Sequence, residues 1–514
     1  MQIDGLSKSC SFAGVGAGVA FVAVYLCRTY TSAKLDRMPT VGSSGLLGFY
    51  WSAIRFLMHS LEIVQEGYEK HKTGVFKVAG LTHWTVVLNR SHLDDIAKVS
   101  DKELSFLDAA NENIQIEYTL GPAIHDDPYH NSILRSQLTR NLGAIYPDIR
   151  NELVVAFGEA LDLKGDVDVG WSSVTAVEMV RGIVCRINNR AFVGLPLCRD
   201  PDWIDLNIQL TVAIAKEGFL LMWLPKFITP LAARWLTRRT ERINRAARHL
   251  EITIRDRQRH MKEYGKEWTD KPNDLLQWCM DEGRESSVDQ LAVRMMAINF
   301  AAIHTTSNGF AQVLFFLAMD PQYAEVLREE VETVVKIHGW TKEALTHMRK
   351  VDSFLKEVQR FEGPAILGVP RKALQDVKLS DGTVIPKGTF ASIPTYAIHH
   401  DQDIYEHPDV FDPLRFVRLQ DARQGPESRF QLVAVSRDSL AFGFGKSACP
   451  GRFFAAAVMK SMLAHVVVEY DVKLDDKDSS SRRKGICFGP HLVPDPEARV
   501  LFRKRQYVKK SAQK

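Results

Sequence analysis

Phe442-Gly443-Phe444-Gly445-Lys446-Ser447-Ala448-Cys449-Pro450-Gly451 is a glycine-rich turn that presents one cysteine. The apolar stretch from Arg452 to Tyr470 that follows predicts a helix. A sulfur just ahead of a helix is favoured as thiolate, because the dipole and the free N–H groups stabilise negative charge. Gly445 and Gly451 let the backbone approach a flat group closely, and Phe442 is placed to shield the sulfur from water. A lone thiolate held this way suits the axial position of a haem iron. A buried structural cysteine is the competing reading. Zinc is disfavoured, because no second cysteine or histidine stands at ligand spacing nearby.

Upstream, a helical pattern starts at Ser287 and stops before Pro321, with Ser287-Val288-Asp289-Gln290 as a capping box. Ala301-Ala302-Ile303-His304-Thr305-Thr306 lies at its middle. A threonine there either bonds its own preceding turn or offers a hydroxyl for proton delivery. Glu357-Val358-Gln359-Arg360 sits in the helical stretch Phe354–Phe361, its two charges on one face. Arg371 follows the apolar stretch Ala365–Pro370, and Phe411-Asp412-Pro413-Leu414-Arg415-Phe416 lies further on.

In this order the motifs resemble those of the cytochrome P450 haem-thiolate monooxygenases. Phe442, Gly445, Cys449 and Gly451 match F-x-x-G-x-[RH]-x-C-x-G, and Cys449–Ala455 is similar to the fungal branch. The family usually has Arg or His, contacting a haem propionate, where this chain has Ser447. The run at 301–306 is similar to the oxygen-activating motif [AG]-G-x-[DE]-T-T, with Ala302 for glycine and His304 for the acid. The resemblance makes Cys449 the iron ligand, with Phe442, Gly445 and Gly451 around it. It makes Thr305, helped by His304, the proton-delivering alcohol, and Glu357, Arg360 and Arg415 a buried ionic brace. Arg371 and Arg135 become propionate ligands, although Asn131 stands where the family has tryptophan before the second of these.

The implied fold is mainly α with minor β sheets. Short strands are expected around Gly80 within Val75–Asn89 and in Val377–Thr395, with turns at Asp381-Gly382 and Pro386-Lys387-Gly388. The implied reaction inserts one atom of dioxygen into an apolar small molecule. Haem b is the implied cofactor, and electrons come from NADPH through a cytochrome P450 reductase. Similarity to fungal terpenoid oxidases, including kaurene-type enzymes, points to a secondary metabolite as substrate. Two rivals share the haem site: an isomerase or dehydratase needing no reductase, and a non-enzymatic haem sensor.

The 514 residues carry 66 basic and 62 acidic side chains, a formal charge of +4 that implies no nucleic-acid partner. Seven scattered cysteines fit a reducing compartment rather than a disulfide framework. Residues 10–27 are uncharged and apolar, about 27 Å as a helix, enough to span a bilayer. Arg28, Lys34 and Arg37 follow them, which puts the body on the cytosolic side. The expectation is a single-pass anchor in 1–34, in the endoplasmic reticulum membrane, and a catalytic domain over 35–514; a cleaved signal peptide is the alternative. The sequon at Asn89 goes unused on the cytosolic side. Leu220–Ile228 is an apolar run that either packs in the core or dips into lipid.

Overall fold

The computed structural model describes residues 34–43, 45–161, 170–422, 427–475 and 485–506. The expected anchor at 10–27 lies outside them, and no helix among the described residues is long and apolar enough to cross a membrane. The principal helices are α1 (Leu46–Lys70), α2 (Phe106–Ile114), α3 (Thr139–Leu161), α4 (Ala176–Phe192), α5 (Pro201–Leu221), α6 (Thr229–Leu236), α7 (Arg239–Tyr264), α8 (Val288–Met319), α9 (Pro321–His338), α10 (Lys342–His347), α11 (Arg349–Phe361), α12 (Arg415–Ala422) and α13 (Arg452–Glu469). The strands are β1 (Phe76–Ala79), β2 (Trp84–Val87), β3 (Leu104–Ser105), β4 (Ser172–Thr175), β5 (Gly368–Ala373), β6 (Val377–Lys378), β7 (Val384–Ile385), β8 (Phe390–Ile393), β9 (Tyr470–Leu474), β10 (Ile486–Phe488), β11 (His491–Val493) and β12 (Arg499–Lys504). This is the helix-dominated architecture with small sheets that the sequence implies.

Two compact units divide the chain. The first joins the residues through Asp126 with Ala213–Arg239 and Ile366–Ala397. Its sheet has the order β1-β2-β8-β5-β3, with β2 and β8 parallel and the other neighbours antiparallel. The β1–β2 turn is made at Gly80, whose N–H donates to the His83 carbonyl. The β6–β7 hairpin turns at Gly382, where φ is 89° and a side chain would be strained. Helix α1 packs on β1 and α2 on β5. The apolar run Leu220–Ile228 belongs to this unit and lies largely at the surface, with Leu221 buried. Leu220, Trp223 and Phe227 are exposed, as are Leu231 and Trp235 on α6.

The second unit comprises Asp127–Val212, Thr240–Ala365 and Ile398–Lys514. Helix α8 is its longest element, 32 residues or about 48 Å. Its start is fixed by Ser287, whose hydroxyl accepts the Gln290 N–H and donates to the Gln290 side chain. It stops at Asp320, which caps α9 by accepting the Gln322 N–H, with Pro321 in the first turn. Helix α4 packs on α3 and α8, while α13 packs against α3, α8, α9 and α11. Phe310, Phe316 and Phe354 are fully buried there, with the Phe411 ring stacked on Phe316 at 4.2 Å. Strands β4, β12 and β9 form an antiparallel sheet, and β10 pairs with β11.

Burial holds several histidines of this unit neutral. It pushes His399 and His465 down to about 3, and His130 down to about 4, with nearby arginines adding to each shift. These folded-state values lie below the unfolded value near 6.5, so the stability they contribute is complete above about pH 6.5 and declines as pH falls toward 3. Each such histidine costs about 1.4 kcal/mol per pH unit inside that window. Acid titration of the denaturant midpoint should therefore fall steeply below pH 6.5. Replacing His465 by Gln should flatten the slope, and an unchanged slope would refute the assignment.

Candidate active site

The cysteine loop is built by backbone geometry. Gly443 and Gly445 take φ of 80° and 66°, in the left-handed region that glycine enters freely. The Gly443 N–H donates to the Leu440 carbonyl, and the Cys449 N–H to the Phe442 carbonyl at 2.8 Å. Gly451 precedes α13, and a Cβ built there meets nothing within 4 Å. Arg135 reaches this loop: its guanidinium donates to the Lys446 carbonyl at 2.5 Å. The helix start is not the only influence on this sulfur. Burial pushes the Cys449 thiol up, against the pull of the Gly451 N–H and of the Arg452 and Arg135 charges. The helix start alone does not make a thiolate here, because desolvation of the sulfur outweighs it. A bound cation would supply the missing compensation.

Thr305 and His304 sit at the middle of α8 on different faces. Ala301 and Thr305, one turn apart, are exposed, whereas Ile303, Thr306 and Ser307 are buried. The Thr305 hydroxyl donates to the Ala301 carbonyl at 2.8 Å, which leaves its lone pairs as acceptors. His304 points elsewhere. Its Nε2 lies 3.3 Å from the Ile208 carbonyl, so Nε2 carries the hydrogen and Nδ1 is the acceptor. Burial, aided by the Arg181 charge, pushes its pKa down to about 4, so the ring is neutral at physiological pH. One turn on, a Cβ at Gly309 would stand 3.9 Å from the Met459 sulfur, which marks where α8 crosses α13.

Glu357, Arg360 and Arg415 converge and are buried. Arg360 donates Nε and Nη2 to the two Glu357 oxygens, each at 2.8 Å, and Arg415 Nε donates to Oε1 at 3.1 Å. The Asp412 N–H donates to the same oxygen. Both guanidiniums spend their remaining donors on backbone carbonyls: His399 for Arg360, and Glu406, His407 and Val410 for Arg415. The sequence reading missed His399. Its backbone carbonyl takes Arg360, and its ring Nε2 accepts the Leu440 N–H at 3.2 Å. Leu440 in turn accepts Gly443, so the ionic cluster continues through His399 into the cysteine loop.

Arg371 lies in the first unit, on β5 just after the bulge that begins at Gly368. It is 3% exposed, and its Nη1 donates to the Pro370 carbonyl. No described carboxylate pairs with it, and burial pushes its pKa down to about 10, which still leaves a cation. Among the described residues Asp101 is the one charge that acts on it, without a direct ion pair, and a buried guanidinium of this kind is chemically suited to a carboxylate ligand from outside the chain.

The model of the family described as Cytochrome P450 matches residues 69–493. The chain belongs to the cytochrome P450 family. Cytochrome P450 monooxygenase 151 of Postia placenta is 39% identical over 96% of this chain and 98% of its own length. Cytochrome P450 monooxygenase CYP512U6 of Ganoderma lucidum is 33% identical over 94% of both chains. Ent-kaurene oxidase P450-4 of Gibberella fujikuroi is 31% identical over 95% and 96%. Cyanobacterial CYP120A1 with retinoic acid bound has the same fold. Its TM-score is 0.66 at 19% identity, over 91% of this chain and 99% of that one.

This P450 is therefore an oxidoreductase of the monooxygenase type, and its family carries a haem iron on a cysteine thiolate. The residues present fit that group. One thiol stands at the loop, no metal-binding cluster of His, Cys, Asp or Glu includes it among the described residues, and the Arg135 guanidinium brings a cation to the same loop. A single soft donor suits a metal whose other ligands come from a macrocycle.

Replacing His399 by Leu should orphan the buried Leu440 N–H and cost about 1–3 kcal/mol, measured as a lower denaturant midpoint. His399→Gln keeps an acceptor and should recover part of the loss. Equal losses in both variants would assign the effect to ring volume instead.

Proposed function

We propose that Cys449 is the thiolate ligand of the haem iron and that this P450 oxidises an apolar terpenoid-like secondary metabolite. Its electrons come from an NADPH-dependent reductase. The observation that carries the reading is the Cys449 loop: one sulfur, held by the Phe442 carbonyl through its own N–H, just ahead of α13. The bound haem would supply reductive activation of dioxygen, one atom going to the substrate and the other to water.

Around it the chain has distinct tasks. Gly445 and Gly451 would leave the backbone free to approach the group, and Phe442 would keep water from the sulfur. Arg371 and Arg135 offer guanidiniums to the propionates. Thr305 accepts and passes protons at its Oγ1, whose own hydrogen is held by the Ala301 carbonyl. His304 is neutral and offers Nδ1 as a second acceptor. Glu357, Arg360 and Arg415 hold the loop's support and do no chemistry.

The terpenoid assignment rests on the kaurene-oxidase relative. The proposed arrangement is an anchor at 10–27 followed by one cytosolic catalytic domain over 35–514 at the endoplasmic reticulum. Two exposed apolar surfaces support contact with lipid: Leu47, Trp51, Ile54 and Met58 on α1, and Phe227, Leu231 and Trp235 in and before α6.

Cys449→Ala should abolish the strongly red-shifted Soret band of the reduced carbon monoxide complex, together with turnover. Persistence of that band would end the assignment.

Thr305→Ala should keep haem binding yet divert reducing equivalents to peroxide, with product per NADPH falling roughly tenfold or more. Unchanged coupling would remove Thr305 from the proton path.

A further inference from the structure

Helix α9 ends at His338, and Gly339, with φ of 65°, turns the chain sharply. Three residues later α10 begins, capped by the Thr341 hydroxyl, which accepts the Ala344 N–H and donates to the His338 carbonyl. Trp340 is pinned beneath the Arg150 guanidinium at 3.8 Å. The connection is thus fixed by a cap, a turn and a cation–π contact, all within the second unit. Glu343 and His347 stand four residues apart on α10 and so share one face. The His347 ring lies parallel to the His338 ring, with centroids 4.3 Å apart and planes at 9°.

The two imidazoles and the carboxylate bring ligand atoms within 4.8 Å of one another. Neither imidazole nor the carboxylate makes a hydrogen bond or ion pair with another described residue. Three metal-ligating groups converge, then, without a protein partner to occupy them. We propose that His338, Glu343 and His347 form a binding site for a divalent transition metal ion, zinc in the first place. The proposal is independent of the reading of Cys449.

The chemistry selects the ion. Two imidazoles exclude magnesium and calcium, which take oxygen ligands, and favour the zinc–copper end of the divalent series. Atoms about 2 Å from a tetrahedral centre sit about 3.3 Å apart, so closing the site needs only small side-chain rotations. Glu343 and His347 are exposed and His338 is half-buried, so those rotations meet little resistance. The fourth position goes to water. A bound ion fastens the end of α9 to α10, and both helices pack on α13, the helix that follows Cys449. Its role is to brace that layer.

The test is calorimetric titration of zinc into the purified haem-loaded protein, prepared without a polyhistidine tag, alongside a magnesium control. The expected result is one equivalent of zinc, no response to magnesium, and a raised thermal midpoint. Affinity should fall more than about tenfold in His338→Ala, Glu343→Gln and His347→Ala. It should be unchanged in His59→Ala, which removes an exposed histidine on α1. Glu343→Gln conserves size and polarity, so it decides the matter even where a histidine variant loses haem. No stoichiometric zinc, equal affinity in Glu343→Gln and the parent, or matching binding of magnesium would overturn the site.

Discussion

The second unit depends on one buried carboxylate. Glu357 is fully removed from solvent and receives three guanidinium hydrogens and a backbone N–H. A charge in that position is tolerable only when paired and fully hydrogen-bonded. The pairing has a geometric consequence. Arg360 comes from α11, Arg415 opens α12, and each guanidinium reaches onward to carbonyls of the 399–410 segment. The carboxylate therefore fixes the separation of two helices and a loop. Such a cluster is costly to assemble and costlier to break in part, which suits a part that must hold a position rather than move.

His399 shows how that fixation is carried to the cysteine. Its carbonyl ends the Arg360 chain and its ring opens the Leu440 chain. The ring can accept the Leu440 N–H only while Nε2 is unprotonated, and burial keeps it so. From Leu440 the path runs through Gly443 to the turn that carries Cys449. The same feature that holds the loop thus makes it sensitive to acid. A neutral buried histidine is a rigid acceptor above its unfolded pKa and a liability below it.

The sequence makes some of this legible and hides the rest, for physical reasons. The bounds of α8 are readable because Ser287, Asp320 and Pro321 are local signals whose effect needs no tertiary contact. The turn at Gly382 is readable for the same reason. Glu357, Arg360 and Arg415 are readable through their family pattern, although nothing in their own spacing says that they are buried. His399 is not readable. It acts through a carbonyl, which every residue has, and through a ring partner 41 positions away. The state of the Cys449 thiol is only partly legible, because the helix-start argument counts dipoles and omits desolvation, which acts through the tertiary surroundings. The apolar run at Leu220–Ile228 is ambiguous in sequence because hydrophobicity alone does not distinguish a core from a surface that meets another apolar phase.

His304 shows where a motif match and a structure separate. Its position in the sequence is that of an acid, yet its ring is buried, neutral and tied to the Ile208 carbonyl on α5. A carboxylate there would be anionic and could not donate to a carbonyl; the imidazole can. The substitution therefore changes more than the proton affinity of one group. It replaces a charge with a neutral donor that links α8 to α5 one residue from Thr305. The His304 Nδ1 is a weak base at physiological pH because protonation would bury a cation beside Arg181. The Thr305 hydroxyl itself lies on the other face of the helix with Ala301, to whose carbonyl it donates. The tie of Nε2 to Ile208 fixes the orientation of the ring and leaves Nδ1 for the acceptor role proposed for it.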